Sequence, residues 1–344
     1  MALGPEQLAL GLEARYGISV RGVFALDEAT WHIARDDGGD WVARVFAPER
    51  PLAATTGDAA VLAALARDDY PAERCATADA VATVDGHAVL VTDHEAPVAP
   101  ARRAATIKEL GGLRALGEML ARLALLPAAA VTDRPGGAWH HLADGGPAQE
   151  IAAAAAMLER AGDRLAGAEL AAHEQLAGAL RAFDDGSGLP AGLVHPDFVM
   201  RNVVAARERG LVVVDWAGAG VGPRAWALAW LLFSEGAKDV RRAQLVAAGY
   251  ARRVTPEPAE LARLAGLMVV RPAILAIWSC CVGRIGARDA CERVAAARAR
   301  VEPIAAAAVA AFDHLAAIQS SRTIATIPTA TINTRSGPGR RRRP

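Results

Sequence analysis

Lysine is nearly missing from this chain: only Lys108 and Lys238 occur in 344 residues, and neither follows a GxxxxG run. A Walker-type phosphate loop is therefore excluded, so phosphate must be held by arginine, backbone amides or a metal ion. Cysteine is scarce as well. Cys75, Cys280, Cys281 and Cys291 show no CxxC spacing and no adjacent histidine, which argues against structural zinc and suits a reducing compartment. Long apolar runs are lacking too, the longest being Pro272 to Gly283 between Arg271 and Arg284, short of the roughly 20 residues a bilayer span needs. The first ten residues carry Glu6 and no basic start before an apolar stretch, so they do not read as a secretion signal and a cytoplasmic location is expected. Aromatic residues make up only 5%, whereas 82 residues are alanine, so the 53% hydrophobic fraction points to closely packed helices.

The charge is balanced overall at 38 basic and 38 acidic residues, but unevenly placed. Residues Ser320 to Pro344 hold six arginines and no acid, leaving 32 basic against 38 acidic residues in the body. A mildly acidic body argues against nucleic acid as the partner and suits a small-molecule substrate.

Strand-like alternation marks SVRGVFAL, TWHIAR and DWVARVF between Ile18 and Phe46, separated by polar or glycine-containing turns. PLAATTGDAAVLAALARDD then has apolar residues at helical spacing (Ala59, Leu62, Leu65, Ala66), with Thr55, Thr56 and Gly57 as cap candidates. The runs ADAVATV and HAVLVTD flank Asp85-Gly86 and predict a hairpin returning to the same sheet. Residues 1–95 thus read as a small antiparallel-sheet lobe with one helix. The prolines of EAPVAPA mark a linker, and 96–319 form a larger, mainly helical lobe. Residues 320–344, ending RRRR, are expected to be a disordered tail. The fold class is α+β.

The informative stretch is GLVHPDFVMRNVVAARERGLVVVDWAGAG, which places His195, Asp197, Asn202 and Asp215 around two short strands joined near Glu208 to Gly210. A hairpin brings its two outer ends together, so Asp197, Asn202 and Asp215 should converge. Their oxygens suit magnesium, which accepts few protein ligands alongside phosphate oxygens and water, while one carboxylate orients a hydroxyl. As turn caps alone, Asp and Asn have an ordinary structural use. The trio joined by a strand is rarer than chance spacing allows.

HPDFVMRN followed by VVVDW resembles the HxDxxxxN and D[WFY] motifs of the aminoglycoside phosphotransferase family, protein-kinase-like small-molecule kinases. The order of elements is similar from about residue 15 to 318. The resemblance implies a bilobal protein-kinase-like fold that transfers the γ-phosphate of ATP to a hydroxyl with Mg2+. It implies Asp197 as catalytic base, His195 as brace of the catalytic loop, and Asn202 and Asp215 as metal ligands. On the nucleotide side it implies Arg44 in WVARVF, where the family has lysine, oriented by Asp58, where it has glutamate. It also implies Gly22 in a covering loop that has lost the other glycines, and the segment Thr92, Asp93 and His94 as a hinge against adenine. Arginine for lysine is not a neutral exchange, because the guanidinium is planar and longer.

For the acceptor, Glu235, Asp239, Asp184 and Asp185 are the acids near the motif, and an aminoglycoside would need several of them. Choline, homoserine and sugar-type acceptors are equally compatible with the family. The loop GGAWHHLADG contributes Trp139, His140 and His141 as packing or substrate-side residues. Two other classes compete: a nucleotide-binding pseudokinase-like module without turnover, which the Arg44 exchange and thin glycine loop favour, and a hydrolase, which lacks a GxSxG elbow.

Overall fold

The computed structural model describes residues 3–139, 145–162 and 167–325. The chain opens with α1 (Pro5–Tyr16), started by Pro5 and closed by Gly17, a helix the strand pattern did not anticipate. It packs Leu8 and Leu12 into the core against β1 (Val20–Ala25) and β4 (Val81–Val84). There follow β2 (Thr30–Arg35), β3 (Trp41–Val45), α2 (Leu52–Arg67), β4 (Val81–Val84) and β5 (His87–Asp93). The strands form one antiparallel sheet in the order β1-β2-β3-β5-β4. α2 begins after Pro51, earlier than its threonines suggested: Thr55 is buried and the Thr56 hydroxyl donates to the Leu52 carbonyl. Between β4 and β5, Asp85 and Gly86 both adopt positive φ (46° and 79°), the twist that a two-residue hairpin demands.

After β5 the chain is mainly helical: α3 (Pro100–Glu109), α4 (Gly112–Leu125), α5 (Ala128–Val131), α6 (Pro147–Gly162) and α7 (Gly167–Arg181). The strand β6 (Ala191–Val194) leads into the motif, whose hairpin is β7 (Val203–Ala206) and β8 (Gly210–Val213). β9 (Gly220–Pro223) pairs antiparallel with β6. Its glycines have a packing reason, since a Cβ at Gly220 would lie 2.9 Å from the Gly136 Cα. α8 (Arg224–Gly236), α9 (Val240–Tyr250), α10 (Pro258–Cys281) and α11 (Ala287–Ala325) complete the fold. α11 runs past residue 319, so the expected tail begins inside a helix, and residues 326–344 lie outside the described residues.

Two ion pairs set the position of the helices. Arg224, at the start of α8, grips Glu260 of α10 through Nε at 2.8 Å and Nη2 at 2.6 Å, and Glu260 in turn accepts the Glu257 amide at the helix start. Arg271 of α10 is buried against Glu150 of α6 (3.0 Å) and over the ring of Trp226 (5.6 Å). α10 is, among the described residues, the one helix long and apolar enough to cross a bilayer, because it begins at Pro258, well before the run seen in sequence. Its buried arginine and its packing on α6, α8 and α11 make it a core helix.

Candidate active site

The β7–β8 hairpin joins the two halves of the motif: the Val214 amide donates to the Asn202 carbonyl at 2.9 Å, placing Asp215 beside the turn that holds Asp197. The Asn202 amide group donates to both the Asp197 carbonyl (2.8 Å) and Asp197 Oδ2 (2.9 Å). Oδ2 also accepts from Arg201 (2.6 Å), and Oδ1 from the Trp230 indole (2.7 Å). Burial alone would push the Asp197 carboxyl up, but Arg201, the Trp230 N–H and Arg271 together hold it below the usual carboxylate range. It is therefore ionised at neutral pH, and Oδ1, with one acceptor site used, can take a further donor.

His195 is fully buried and links the two loops. The Asp197 amide donates to Nδ1 (3.0 Å), so the proton resides on Nε2, which donates to the Val214 carbonyl (3.1 Å). Burial keeps the ring neutral, and it packs edge-on against Trp216 at 4.7 Å. Both of its ring nitrogens are thus engaged with the backbone.

Asp215 adopts a left-handed backbone, φ +71°, tolerable for Asp but costing energy unless its surroundings hold it. Glu73, from the segment between α2 and β4, supplies the hold. Its Oε1 accepts the amides of Asp215 (2.9 Å) and Trp216 (3.4 Å), and its Oε2 accepts the Thr92 hydroxyl (3.2 Å). Burial raises the Glu73 carboxyl; Asp215 adds to the rise, whereas Arg44 and the two amides oppose it. Glu73 carries no spacing signal in the sequence.

Arg44 reaches into the same place, its Nη1 3.0 Å from Asp215 Oδ1. The expected Arg44–Asp58 pair is not what forms. Asp58 is fully buried, with Oδ2 on Arg50 (2.7 Å) and Oδ1 on Arg134 (2.5 Å) and the Gly218 amide (3.0 Å). Arg134 further donates to the carbonyls of Ala54 and Ala219, so Asp58 ties α2 to the loop that follows Asp215 instead of orienting Arg44.

One other nucleotide-side expectation, the covering loop at Gly22, needs correction. Gly22 lies within β1 at a bulge, paired with Ala34, and the β1–β2 turn over the cleft contains Asp27 and Glu28 instead of glycine. The Asp93 and His94 amides are spent on the Arg74 (2.9 Å) and Asp40 (3.0 Å) carbonyls, and Thr92 is buried on Glu73, so that short segment offers adenine no free amide from residues 93 or 94.

A cleft of about 390 Å³ opens beside the trio, lined by Glu28, Trp139, Pro196, Asp197, Asp215, Ala217, Leu275 and Trp278. Arg271 stacks on Trp139 (4.6 Å) and Arg284 on Trp278 (4.5 Å). None of the four acids expected for the acceptor lines it. Glu235 is buried on Lys238 and Arg242, Asp239 caps α9, Asp184 pairs with Arg263, and Asp185 accepts the Ser187 amide. His140 and His141 lie outside the described residues.

The model of the phosphotransferase enzyme family matches residues 25–267, most of the chain, and the chain belongs to that family. No curated protein sequence matches. Among solved structures, an aminoglycoside phosphotransferase from Alicyclobacillus acidocaldarius is 15% identical, with TM-score 0.56 over 91% of this chain and 98% of its own. A choline/ethanolamine kinase family protein from Mesorhizobium loti is 18% identical, with TM-score 0.59 over 89% and 98%. An amicoumacin kinase in complex with AMP-PNP and Ca2+ is 13% identical, with TM-score 0.57 over 85% and 92%. At these identities the likeness is one of fold, the bilobal α+β architecture of small-molecule kinases.

Proposed function

We propose that this member of the phosphotransferase enzyme family transfers the γ-phosphate of ATP to a hydroxyl of a small molecule, with Mg2+, at the cleft between Asp197 and Asp215. The observation that carries this reading is the convergence of Asp197, Asn202 and Asp215 on one hairpin, braced by His195. The donor set fits magnesium: the Asn202 side chain uses its NH2 on Asp197, leaving its oxygen, and Arg44 occupies one Asp215 oxygen, leaving the other. Asn202 and Asp215 would hold the ion, which supplies neutralisation of phosphate charge when bound. The complex of the amicoumacin kinase with AMP-PNP and Ca2+ supports nucleotide and divalent-cation use in this fold.

The work of the chain's own residues follows from the loose, metaphosphate-like character of phosphoryl transfer, in which positioning matters more than base strength. Asp197, already ionised, accepts the acceptor's O–H on Oδ1 and orients the oxygen; the proton moves to it as the new P–O bond forms and the bond to the leaving diphosphate breaks. Trp230 and Asn202 fix the carboxylate. Arg44 grips phosphate from the β3 side.

The acceptor meets aromatic and apolar walls, Trp139, Trp278 and Leu275, with Glu28 the lining acid apart from the two motif aspartates. That lining favours an acceptor recognised by flat apolar contact over a polycation. A reducing, ATP-containing cytoplasm suits the four free cysteines. The test is phosphorylated-product formation from ATP and Mg2+ across a panel of alcohols: choline, homoserine, sugars, aminoglycosides and aromatic alcohols. Product with none of them, alongside intact nucleotide binding, would overturn the reading.

A further inference from the structure

A second set of ligating side chains lies on the five-stranded sheet, four residues along β3 from Arg44, or about 13 Å at the strand rise. His32 sits in β2, Asp40 immediately precedes β3, and His94 immediately follows β5. Three separate segments therefore contribute one ligand each, and the ladder fixes them: the His94 amide donates to the Asp40 carbonyl (3.0 Å), and Asp40 Oδ1 accepts the Arg35 amide (3.1 Å). His32 Nε2 lies 2.9 Å from Asp40 Oδ2, and the two imidazoles are 4.3 Å apart between centroids at 32°. One ligand atom from each of the three lies within 4.8 Å of the others, and all three residues are half-buried.

We propose that His32, Asp40 and His94 form a binding site for a transition-metal dication of the zinc type. Two imidazoles and one carboxylate suit Zn2+, Co2+ or Ni2+, with water in the remaining position, and do not suit Mg2+, which prefers oxygen throughout. Tetrahedral ligation at about 2 Å needs ligand atoms about 3.3 Å apart, so closing the site takes only small side-chain rotations. The Arg21 cation acts on Asp40 and opposes a dication, while the Asp40 carboxylate favours it. The bound ion would staple β2 and the start of β3 to the end of β5.

The experiment uses the full chain, tag removed and stripped with EDTA, titrated with ZnCl2 by calorimetry and thermal shift in excess Mg2+, with Co2+ absorption as a second readout. Binding of one Zn2+, a higher melting temperature, and at least tenfold weaker binding in both His32→Gln and His94→Gln are expected. The Co2+ spectrum should lack thiolate charge-transfer bands. Circular dichroism checks that the variants fold; should one of them not, the other and the Co2+ spectrum decide. Undiminished binding in the His32→Gln/His94→Gln double variant, thiolate bands from the four cysteines, or no binding at micromolar Zn2+ would each overturn the site.

Discussion

Replacing Glu73 with alanine should damage the site far more than replacing it with glutamine. The carboxylate accepts the Asp215 amide at 2.9 Å, the Trp216 amide at 3.4 Å and the Thr92 hydroxyl at 3.2 Å, and it alone clamps the backbone amide of a residue at φ +71°. Leaving a buried donor without its acceptor costs about 1–3 kcal/mol, and the 3.4 Å contact adds little, so loss of the other two bonds to alanine removes about 3 kcal/mol of support. The left-handed conformation itself costs about 1–3 kcal/mol and should relax once released. Since 1.4 kcal/mol is tenfold, the affinity for magnesium nucleotide should fall about a hundredfold. Glutamine keeps an oxygen for the Asp215 amide, and its NH2 can donate to Thr92, whose hydroxyl accepts as readily as it donates. A loss of no more than about tenfold is expected for it. Calorimetric titration with a non-hydrolysable nucleotide and Mg2+, beside kcat/KM, provides the comparison. Equal damage in both variants would show that charge beside Arg44 matters and the clamp does not; two harmless variants would show that Asp215 needs no clamp.

Trp230→Phe deletes the indole donor to Asp197 Oδ1, so the carboxyl should move up toward its ordinary range and the acid limb of the kcat–pH profile should shift to higher pH. An unmoved limb would contradict the role given to that bond. Asp58→Ala leaves the buried guanidinium of Arg50, and that of Arg134, without their shared carboxylate, and should lower stability by about 3–5 kcal/mol in chemical denaturation. Burial raises Glu150 to about 7, against the opposing pull of Arg271 and with help from Asp197. Between pH 4.5 and 7 the folded chain therefore keeps a proton the unfolded chain releases, and stability should fall across that window by on the order of 3 kcal/mol. In Glu150→Gln this contribution to the slope should vanish, whatever the variant's absolute stability.

The parts of the fold legible in the sequence were those with local causes. Alternation gave β1, β2 and β3, Asp85-Gly86 gave the hairpin turn, and the HPDFVMRN and VVVDW segments gave the hairpin on which the site is built. What was not legible depends on contacts distant in the chain. Glu73 reaches Asp215 across 142 positions, and Arg134 reaches Asp58 across 76, without any spacing to announce them. Trp230 was visible only as one of two tryptophans four apart on α8, which reads as core packing until the indole N–H is seen on Asp197. Asp58 was placed on the right helix, but two arginines from other segments claim both its oxygens, leaving Arg44 to Asp215.

The most direct test compares Asp197→Ala and Asn202→Ala in one experiment that measures both magnesium-nucleotide binding and single-turnover phosphate transfer to an accepted alcohol. Asp197→Ala should bind the nucleotide as the parent does and transfer phosphate at least about a thousandfold more slowly, whereas Asn202→Ala should lose the dependence of nucleotide binding on Mg2+. Transfer by Asp197→Ala at close to the parental rate would contradict the account.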